Sequence, residues 1–271
     1  AGKKSSGGKP NASKFWLVAG TAHSRQAMPR YSIARIVKSP YGFRLLHTVV
    51  QTVIFACIGS LRTSTIHHAN IVPEMIEALI FDYGNVIEKV DYRSFLECVA
   101  LDVIDAVDPF DSRGAVLQVA HETGAMSSDT FAAAVIETYA LDISCPDFLD
   151  AYSNILTPIA STVATIRRLA GRYQLALLSN TNTLHYENAI ARSEILPLFD
   201  AVVLSHLVGY MKPDPRIYAD ILGKLQVPAQ TCVFIDDRAA NIEAAELAGM
   251  QTIHLTKPST LAPDLAKLGV E

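Results

Sequence analysis

Five polar side chains that could do chemistry follow short apolar runs of the sequence: Asp82, Ser179, Lys212, Asp236 and Asp237. Their carboxylate oxygens are suitable ligands for a hard divalent cation, and magnesium suits a site with few protein carboxylates. The lysine and the hydroxyl supply a positive charge and a hydrogen-bond donor to a phosphoryl oxygen. The set therefore predicts metal-assisted phosphoryl transfer through a carboxylate nucleophile.

The elements that must position these side chains are predicted to be parallel strands. The apolar run before Asp82 and the segments YQLALLS, AVVLS, TCVFID and QTIHL have the length and composition of buried strands. Helical patterns alternate with them at residues 161–169, 184–192, 214–225 and 239–247. This alternation predicts an α/β fold with a doubly wound, Rossmann-like parallel sheet. Ligands bind outside the carboxyl ends of such strands, so the five side chains should meet on one rim.

Residues 91–159 have a different pattern, which predicts a small bundle of short helices. The predicted helices span residues 92–106, 113–123, 130–140 and 146–155. The chain should therefore have an α/β core, formed by residues 74–90 and 160–271, with a small helical domain inserted after the first strand.

Residues 1–73 form a basic extension with ten Lys or Arg and no acid, whereas residues 74–271 carry thirteen Lys or Arg against 27 acids. This composition is typical of a transit segment and favours a mitochondrial or other organellar location over a cytoplasmic one. A docking arm for RNA or a protein partner and an incidental solvated extension are the alternatives. The uncharged stretch 45–61 is slightly short for a membrane anchor, so a helix packed on protein or part of a cleaved segment is favoured.

Each of the five side chains also has a simpler interpretation. Asp82 and the pair Asp236-Asp237 would serve as helix caps and Lys212 as a solvated surface charge, while Ser179, like the nearby Asn182, would be a turn former. Their joint occurrence at successive strand ends favours an active site.

Four segments resemble the motifs of haloacid dehalogenase (HAD) superfamily hydrolases: LIFDYGNVI, LLSNTN, MKPDPRIY and VFIDDRAANIEAA, in this order. The resemblance covers about residues 76–271 and is nearest to sugar-phosphate phosphatases with an Asp-x-Gly-Asn-Val first motif, such as α-D-glucose-1-phosphate phosphatases. It implies a magnesium-dependent phosphatase that hydrolyses a small phosphorylated metabolite, preferably a sugar phosphate, through an aspartyl-phosphate intermediate. The helices of residues 91–159 would be the family's cap, which closes over the substrate.

The resemblance also implies roles for single residues. Asp82 would be the nucleophile, Ser179 would hydrogen-bond the phosphoryl group, and Lys212 would neutralise the phosphate and orient Asp82. Asn180 and Asn182, in the same motif as Ser179, are predicted to bind substrate together with Ser179 and Lys212.

The implied metal site consists of Asp82, Asp236, Asp237 and the carbonyl of Gly84, with Mg²⁺ as the ion. Gly84 is also a departure from the family pattern. Most phosphatases of the family place there an Asp that protonates the leaving oxygen and later activates water. Another group or solvent must act instead, or the leaving group must be good enough to depart with little help, as a sugar 1-phosphate would allow.

Two other functions fit parts of the sequence. Dehalogenases of the family also lack the second Asp, but they place an aromatic residue two positions and a glycine three positions after the nucleophile. Here Tyr83 is one position on and Gly84 two, which argues against dehalogenation. The second alternative is a repurposed HAD-like domain that serves as a structural or accessory subunit of a larger membrane or RNA-containing assembly, docked through residues 1–73.

Overall fold

The computed structural model describes residues 75–100 and 109–271. The basic extension of residues 1–73, with its apolar stretch 45–61, lies outside the described residues, as does the end of the first predicted helix from residue 101 onward. Within the described ranges, no helix combines the length and the apolar composition needed to cross a bilayer.

Within the part of the chain that the structure describes, seven strands form two sheets. They are β1 (Ala78–Phe81), β2 (Glu88–Val90), β3 (Leu156–Pro158), β4 (Gln174–Ser179), β5 (Ala201–Leu204), β6 (Cys232–Asp236) and β7 (Gln251–His254). Five of them pair in parallel in the order β5-β4-β1-β6-β7, and β2 pairs with β3 in an antiparallel ribbon. The predicted doubly wound α/β fold is confirmed, and its strand order reverses on either side of β1.

Ten helices lie in the described ranges. They are α1 (Arg93–Cys98), α2 (Ser112–Glu122), α3 (Ser128–Tyr139), α4 (Cys145–Ser153), α5 (Ala160–Leu169), α6 (Thr183–Asn188), α7 (Ser205–Val208), α8 (Pro215–Leu225), α9 (Ala239–Leu247) and α10 (Leu261–Lys267). Side-chain caps stabilise the first turns of several helices. The N-cap residues Ser127, Ser144 and Asp214 accept hydrogen bonds from first-turn N–H groups of α3, α4 and α8.

The central strand β1 is buried on both faces, which explains its unbroken apolar run. Leu79 and Phe81 enter the hydrophobic cluster on one side of the sheet, while Ala78 and Ile80 enter the cluster on the other. Each fully buried Leu, Ile or Phe side chain stabilises the fold by about 1.5–3 kcal/mol. This burial fixes the strand that ends at Asp82.

Helices α1 to α4 share a hydrophobic cluster of their own, rich in aromatic rings. The ring centroid of Phe95 lies 5.2 Å from those of Phe148 and Tyr152 in edge-to-face arrangements. The chain enters this helical part through β2 and leaves it through β3, so the ribbon lies at both connections to the main sheet. The division into an α/β core and a cap remains a prediction, and the separate cluster supports it.

The sequence patterns missed several short elements. Strands β2 and β3 have three residues each, too few for a periodic signal, and α10 follows the last strand that was predicted. The helix predicted over residues 184–192 is shorter, because α6 ends at Asn188 and a 3₁₀ turn spans Ile190–Arg192.

Candidate active site

Three carboxylates meet at the carboxyl ends of β1 and β6. The two strands are neighbours, with Phe81 opposite Ile235, so Asp82 and Asp236 emerge side by side. One carboxylate oxygen each from Asp82, Asp236 and Asp237 lies within 4.8 Å of the other two. A set of hard oxygen donors this close together fits a divalent cation such as Mg²⁺.

Lys212 connects two of these carboxylates. Its Nζ donates to Asp82 Oδ1 and to Asp236 Oδ2, both at 2.7 Å, and the residue is only 2% exposed. The backbone of Lys212 is fixed by Asn180, whose Oδ1 accepts from the Lys212 N–H at 2.8 Å and whose Nδ2 donates to the Lys212 carbonyl at 2.9 Å. Asn180 thus positions the lysine, a role that its place in the sequence motif did not reveal.

Burial and charge determine the protonation of this cluster. Burial alone would lower the pKa of Lys212, but the ion pairs with Asp236 and Asp82 outweigh it and raise that pKa. Burial raises the pKa of Asp82 to about 7, although Lys212 acts in the opposite direction. Burial also raises the pKa of Asp237. A bound cation would offset this cost of ionising the buried carboxylates, which share a single ammonium.

Two asparagines orient the acidic side chains. Asn241 Nδ2 lies 3.0 Å from each carboxylate oxygen of Asp236, and Asn85 Nδ2 donates to Asp237 Oδ2 at 2.9 Å. Asn85 is held in turn by the Val90 N–H, which donates to its Oδ1 at 3.1 Å. Sequence patterns assigned no role to either asparagine. Both lie inside the motifs LIFDYGNVI and VFIDDRAANIEAA, and this position is the signal that could have identified them.

Gly84 lies in the turn between Asp82 and Asn85, where its backbone bridges to Glu88. A Cβ at this position would lie 3.2 Å from Val90 Cγ2. A side chain at Gly84 therefore requires Val90 to shift by a few tenths of an ångström.

The structure separates the predicted substrate-binding residues. Ser179 ends β4 and lines the cleft above the carboxylates, as Asn180 and Lys212 do. Asn182 is fully buried and caps α6, with its Oδ1 accepting from the His185 N–H at 2.9 Å. Asn182 is absent from the cleft lining, so the geometry favours a capping role over substrate contact.

The cleft has a volume of about 420 Å³ and lies between the strand ends and the helical part of the chain. On the strand side it is lined by Gly84, Asn85, Ser179, Asn180, Lys212, Asp237 and Arg238, among others. On the helical side its lining includes Tyr92, Phe110, Asp111, Ser112, Gln118, Val119 and Glu122.

Two titratable groups of the cleft are poor proton donors. Burial lowers the pKa of His185 to about 4, its Nε2 lies 2.8 Å from the Tyr152 carbonyl, and Nδ1 lies 3.1 Å from Asn182 Nδ2. These contacts indicate a neutral ring, in which Nε2–H donates to the Tyr152 carbonyl and Nδ1 accepts from Asn182 Nδ2. Hydrogen bonds from Arg113 and then Tyr139 hold the pKa of Asp111 well below its usual range, so this carboxylate stays ionised.

Ser205, directly after β5, links the helical part to the strand ends. Its Oγ lies 2.6 Å from the carbonyl of Glu122 and 2.9 Å from that of Thr181, and it accepts from the Thr181 N–H at 2.9 Å. Because the hydroxyl has one hydrogen, the two carbonyls compete for it. The end of α2 is thereby connected to the loop that follows Ser179.

Comparison with known proteins finds similarity to hydrolases. Residues 126–249 match the family model described as haloacid dehalogenase-like hydrolase. D-ribitol-5-phosphate phosphatase of Bacteroides thetaiotaomicron is 25% identical over 189 residues, which cover 66% of this chain and 91% of that protein. Acyl-CoA dehydrogenase family member 10 of Mus musculus is 36% identical over 92 residues, 32% of this chain but 8% of that protein. The chain thus spans only a small part of some relatives.

A solved structure has the same fold. A HAD family enzyme of Bacteroides thetaiotaomicron in complex with magnesium and inorganic phosphate superposes with a TM-score of 0.57 at 22% identity, covering 66% of this chain and 93% of that one. The resemblance drawn from the four sequence motifs is confirmed by the family match and the phosphatase relative. The solved structure shows that the fold is shared.

Proposed function

We propose that this chain, a HAD-like hydrolase by its motifs, fold and family match, is a magnesium-dependent phosphatase of small phosphorylated metabolites. The observation that supports the proposal most directly is the buried cluster in which Lys212 pairs with Asp82 and Asp236, with Asp237 beside them. Its charges and donors suit an in-line attack by a carboxylate on a phosphorus atom.

Each residue of the cluster has its own role in the proposed reaction. The Asp82 carboxylate attacks phosphorus and forms an aspartyl phosphate, while the leaving oxygen departs with a proton from solvent. Lys212 and Ser179 bind the phosphoryl oxygens, and Lys212 holds Asp82 in place. Water then cleaves the acyl phosphate and regenerates the Asp82 carboxylate. Magnesium, held by Asp82, Asp236, Asp237 and the Gly84 carbonyl, would neutralise charge on the phosphoryl group.

Substrate size and class are supported by the cleft and by the relatives. A cleft of about 420 Å³ suits a small ligand. One relative is named a D-ribitol-5-phosphate phosphatase, and the related HAD family enzyme was solved with magnesium and inorganic phosphate. A sugar phosphate is therefore the proposed substrate class.

A panel of sugar phosphates tests the proposal, with release of inorganic phosphate as the readout. We expect hydrolysis with magnesium and at least a roughly 100-fold loss when a chelator removes the metal, because the carboxylates then lack the charge that binds phosphate. Full activity in the chelator would contradict magnesium dependence, and no turnover of any panel member would contradict the phosphatase.

The accessory-subunit alternative is favoured by one feature, the glycine at position 84 in place of the family's acid. Docking to a membrane, RNA or protein assembly through residues 1–73, and an organellar location set by the same segment, remain proposals on composition alone. Native particle size, measured beside the substrate panel, separates the two functions: a stable large complex without phosphatase activity would favour the alternative.

Gly84 should make the rate depend steeply on the leaving group. General acid catalysis typically contributes about 10²–10⁴-fold, and neither His185 nor Asp111 offers a proton in its place. We expect aryl and acyl phosphates to react fastest, sugar 1-phosphates next and primary alkyl phosphates slowest. The measurement is kcat/KM across such a series, plotted against the pKa of the leaving alcohol.

The matched variant is Gly84→Asp combined with Val90→Ala, since the Val90 methyl lies where the new Cβ would press. In this double variant, kcat/KM should depend less steeply on the pKa of the leaving alcohol. Val90→Ala alone should leave the slope of that plot unchanged. Equal rates for alkyl and aryl phosphates in the unmodified protein, with chemistry rate-limiting, would disprove the idea.

A further inference from the structure

One face of helix α2 forms part of the cleft surface. The α2 residues that line the cleft recur at three- and four-residue intervals, as side chains on one face of a helix do: Ser112, Ala115, Gln118, Val119 and Glu122. At the start of α2, Asp111 accepts from the Tyr139 hydroxyl of α3 at 2.6 Å. At its end, the Glu122 carbonyl accepts from Ser205 Oγ, also at 2.6 Å. These contacts hold the cleft-lining face of α2 in place.

The centre of this face is apolar and exposed. Val119 is 49% exposed although it is an aliphatic side chain, and Ala115, one turn earlier, is exposed as well. Four further apolar residues line the same cleft: Val90, Phe110, Ile155 and Leu156. Together with Ala115 and Val119 they form an apolar wall. Apolar side chains that line a cleft beside a few convergent polar groups are typical of a ligand site.

The charged lining residues outside the carboxylate cluster already have partners in the protein. Asp111 pairs with Arg113 at 2.8 Å, and Glu122 Oε1 accepts from Gln118 Nε2 at 2.9 Å. Glu122 and Arg238 have further interactions. These charges are partly satisfied before a ligand enters, whereas the apolar side chains gain free energy only when a ligand removes them from water.

The apolar wall lies where the leaving group of a substrate must extend. In the proposed phosphatase, Ser179 and Lys212 bind the phosphoryl group at the strand side of the cleft, and the wall lines the helical side of the same cleft. The group esterified to the phosphate therefore has to pass along Val119 and its neighbours.

We propose that the apolar wall binds a C–H face of the leaving group, so that the preferred substrates are phosphate esters of closed-ring sugars and not of open-chain polyols. This inference rests on the proposed phosphatase function. A closed sugar ring gathers C–H groups on its faces, whereas an open-chain polyol carries a hydroxyl on every carbon and loses hydration against an apolar surface. Removal of one methylene-sized contact from water changes affinity by a factor of about four.

Two esters of the same primary hydroxyl test the proposal: methyl β-D-ribofuranoside 5-phosphate, whose ring is locked closed, and D-ribitol 5-phosphate, which is open. Their leaving groups are both primary alcohols, so the effect of Gly84 on the departing oxygen is nearly the same for the two. We expect kcat/KM to be at least about tenfold higher for the closed ring. Equal values, or a preference for the polyol, would overturn the proposal.

The substitution Val119→Thr should lower this ratio by about threefold, chiefly through poorer use of the closed ring, because it replaces one methyl of the wall by a hydroxyl and keeps the branched shape. Val116→Thr is the matched control, since Val116 is 69% exposed on the same helix and does not line the cleft. The control should leave the ratio unchanged. A ratio that moves equally in both variants, or in neither, would contradict a role for Val119.

Binding separates this proposal from the phosphatase function. Dissociation constants of the two compounds, measured by calorimetry with Asp82→Asn in magnesium, should show the same preference, and Val119→Thr added to this variant should reduce it. If the unmodified protein hydrolyses neither compound but the preference holds in binding, the phosphatase fails and the selectivity stands. If both are hydrolysed and bound alike, the phosphatase stands and the selectivity fails. Binding of neither compound would overturn the selectivity as well.

Discussion

Asp82→Asn should reduce phosphatase turnover by at least about 10³-fold while the protein stays folded. The amide cannot form an acyl phosphate, so the proposed covalent route is closed. The shape of the side chain is kept, and Lys212 retains its pair with Asp236 at 2.7 Å. Initial rates with magnesium measure the loss, and thermal melting followed by circular dichroism checks the fold.

The control for this variant is Asp264→Asn, which makes the same change at a surface residue of α10 paired with Lys267. It should leave the rate unchanged. Asp82→Asn protein that turns over at an appreciable fraction of the normal rate would exclude Asp82 as the nucleophile.

Lys212→Met should destabilise the protein as well as inactivate it. Removal of one partner from a buried ion pair typically costs about 3–5 kcal/mol, because the other charge is left unpaired. Here the loss leaves Asp82 and Asp236 facing each other, both buried, with Asp237 close by. The free energy of unfolding should therefore fall by about 3 kcal/mol without metal, and turnover should fall by about 10²–10³-fold.

Magnesium gives this prediction a second readout. If the three carboxylates hold the ion, its addition should restore part of the lost stability in Lys212→Met, since it supplies the missing positive charge. Lys224→Met, on an exposed face of α8, should change the unfolding free energy by less than about 0.5 kcal/mol. An unchanged urea midpoint in Lys212→Met would show that the buried pair contributes little.

Much of the fold was predictable because its signals are local. The run Ala78–Phe81 is apolar throughout because both faces of β1 are covered, and such a run predicts a buried central strand. The alternation of strands and helices then predicts the parallel sheet, and the rule that ligands bind at strand ends places Asp82, Ser179 and Asp236 on one rim. The short ribbon β2-β3 was not predicted, because a strand of three residues is too short to show a periodic pattern.

The sequence by itself determined which residues end the strands and which motif each belongs to, since both depend on neighbours along the chain. Only the tertiary structure decided what each side chain contacts. Lys212 pairs with two carboxylates, Asn180 fixes that lysine, and Asn182 caps a helix instead of lining the cleft. These contacts join residues far apart in sequence, so their distances follow from how helices and strands pack, which no periodicity or spacing records.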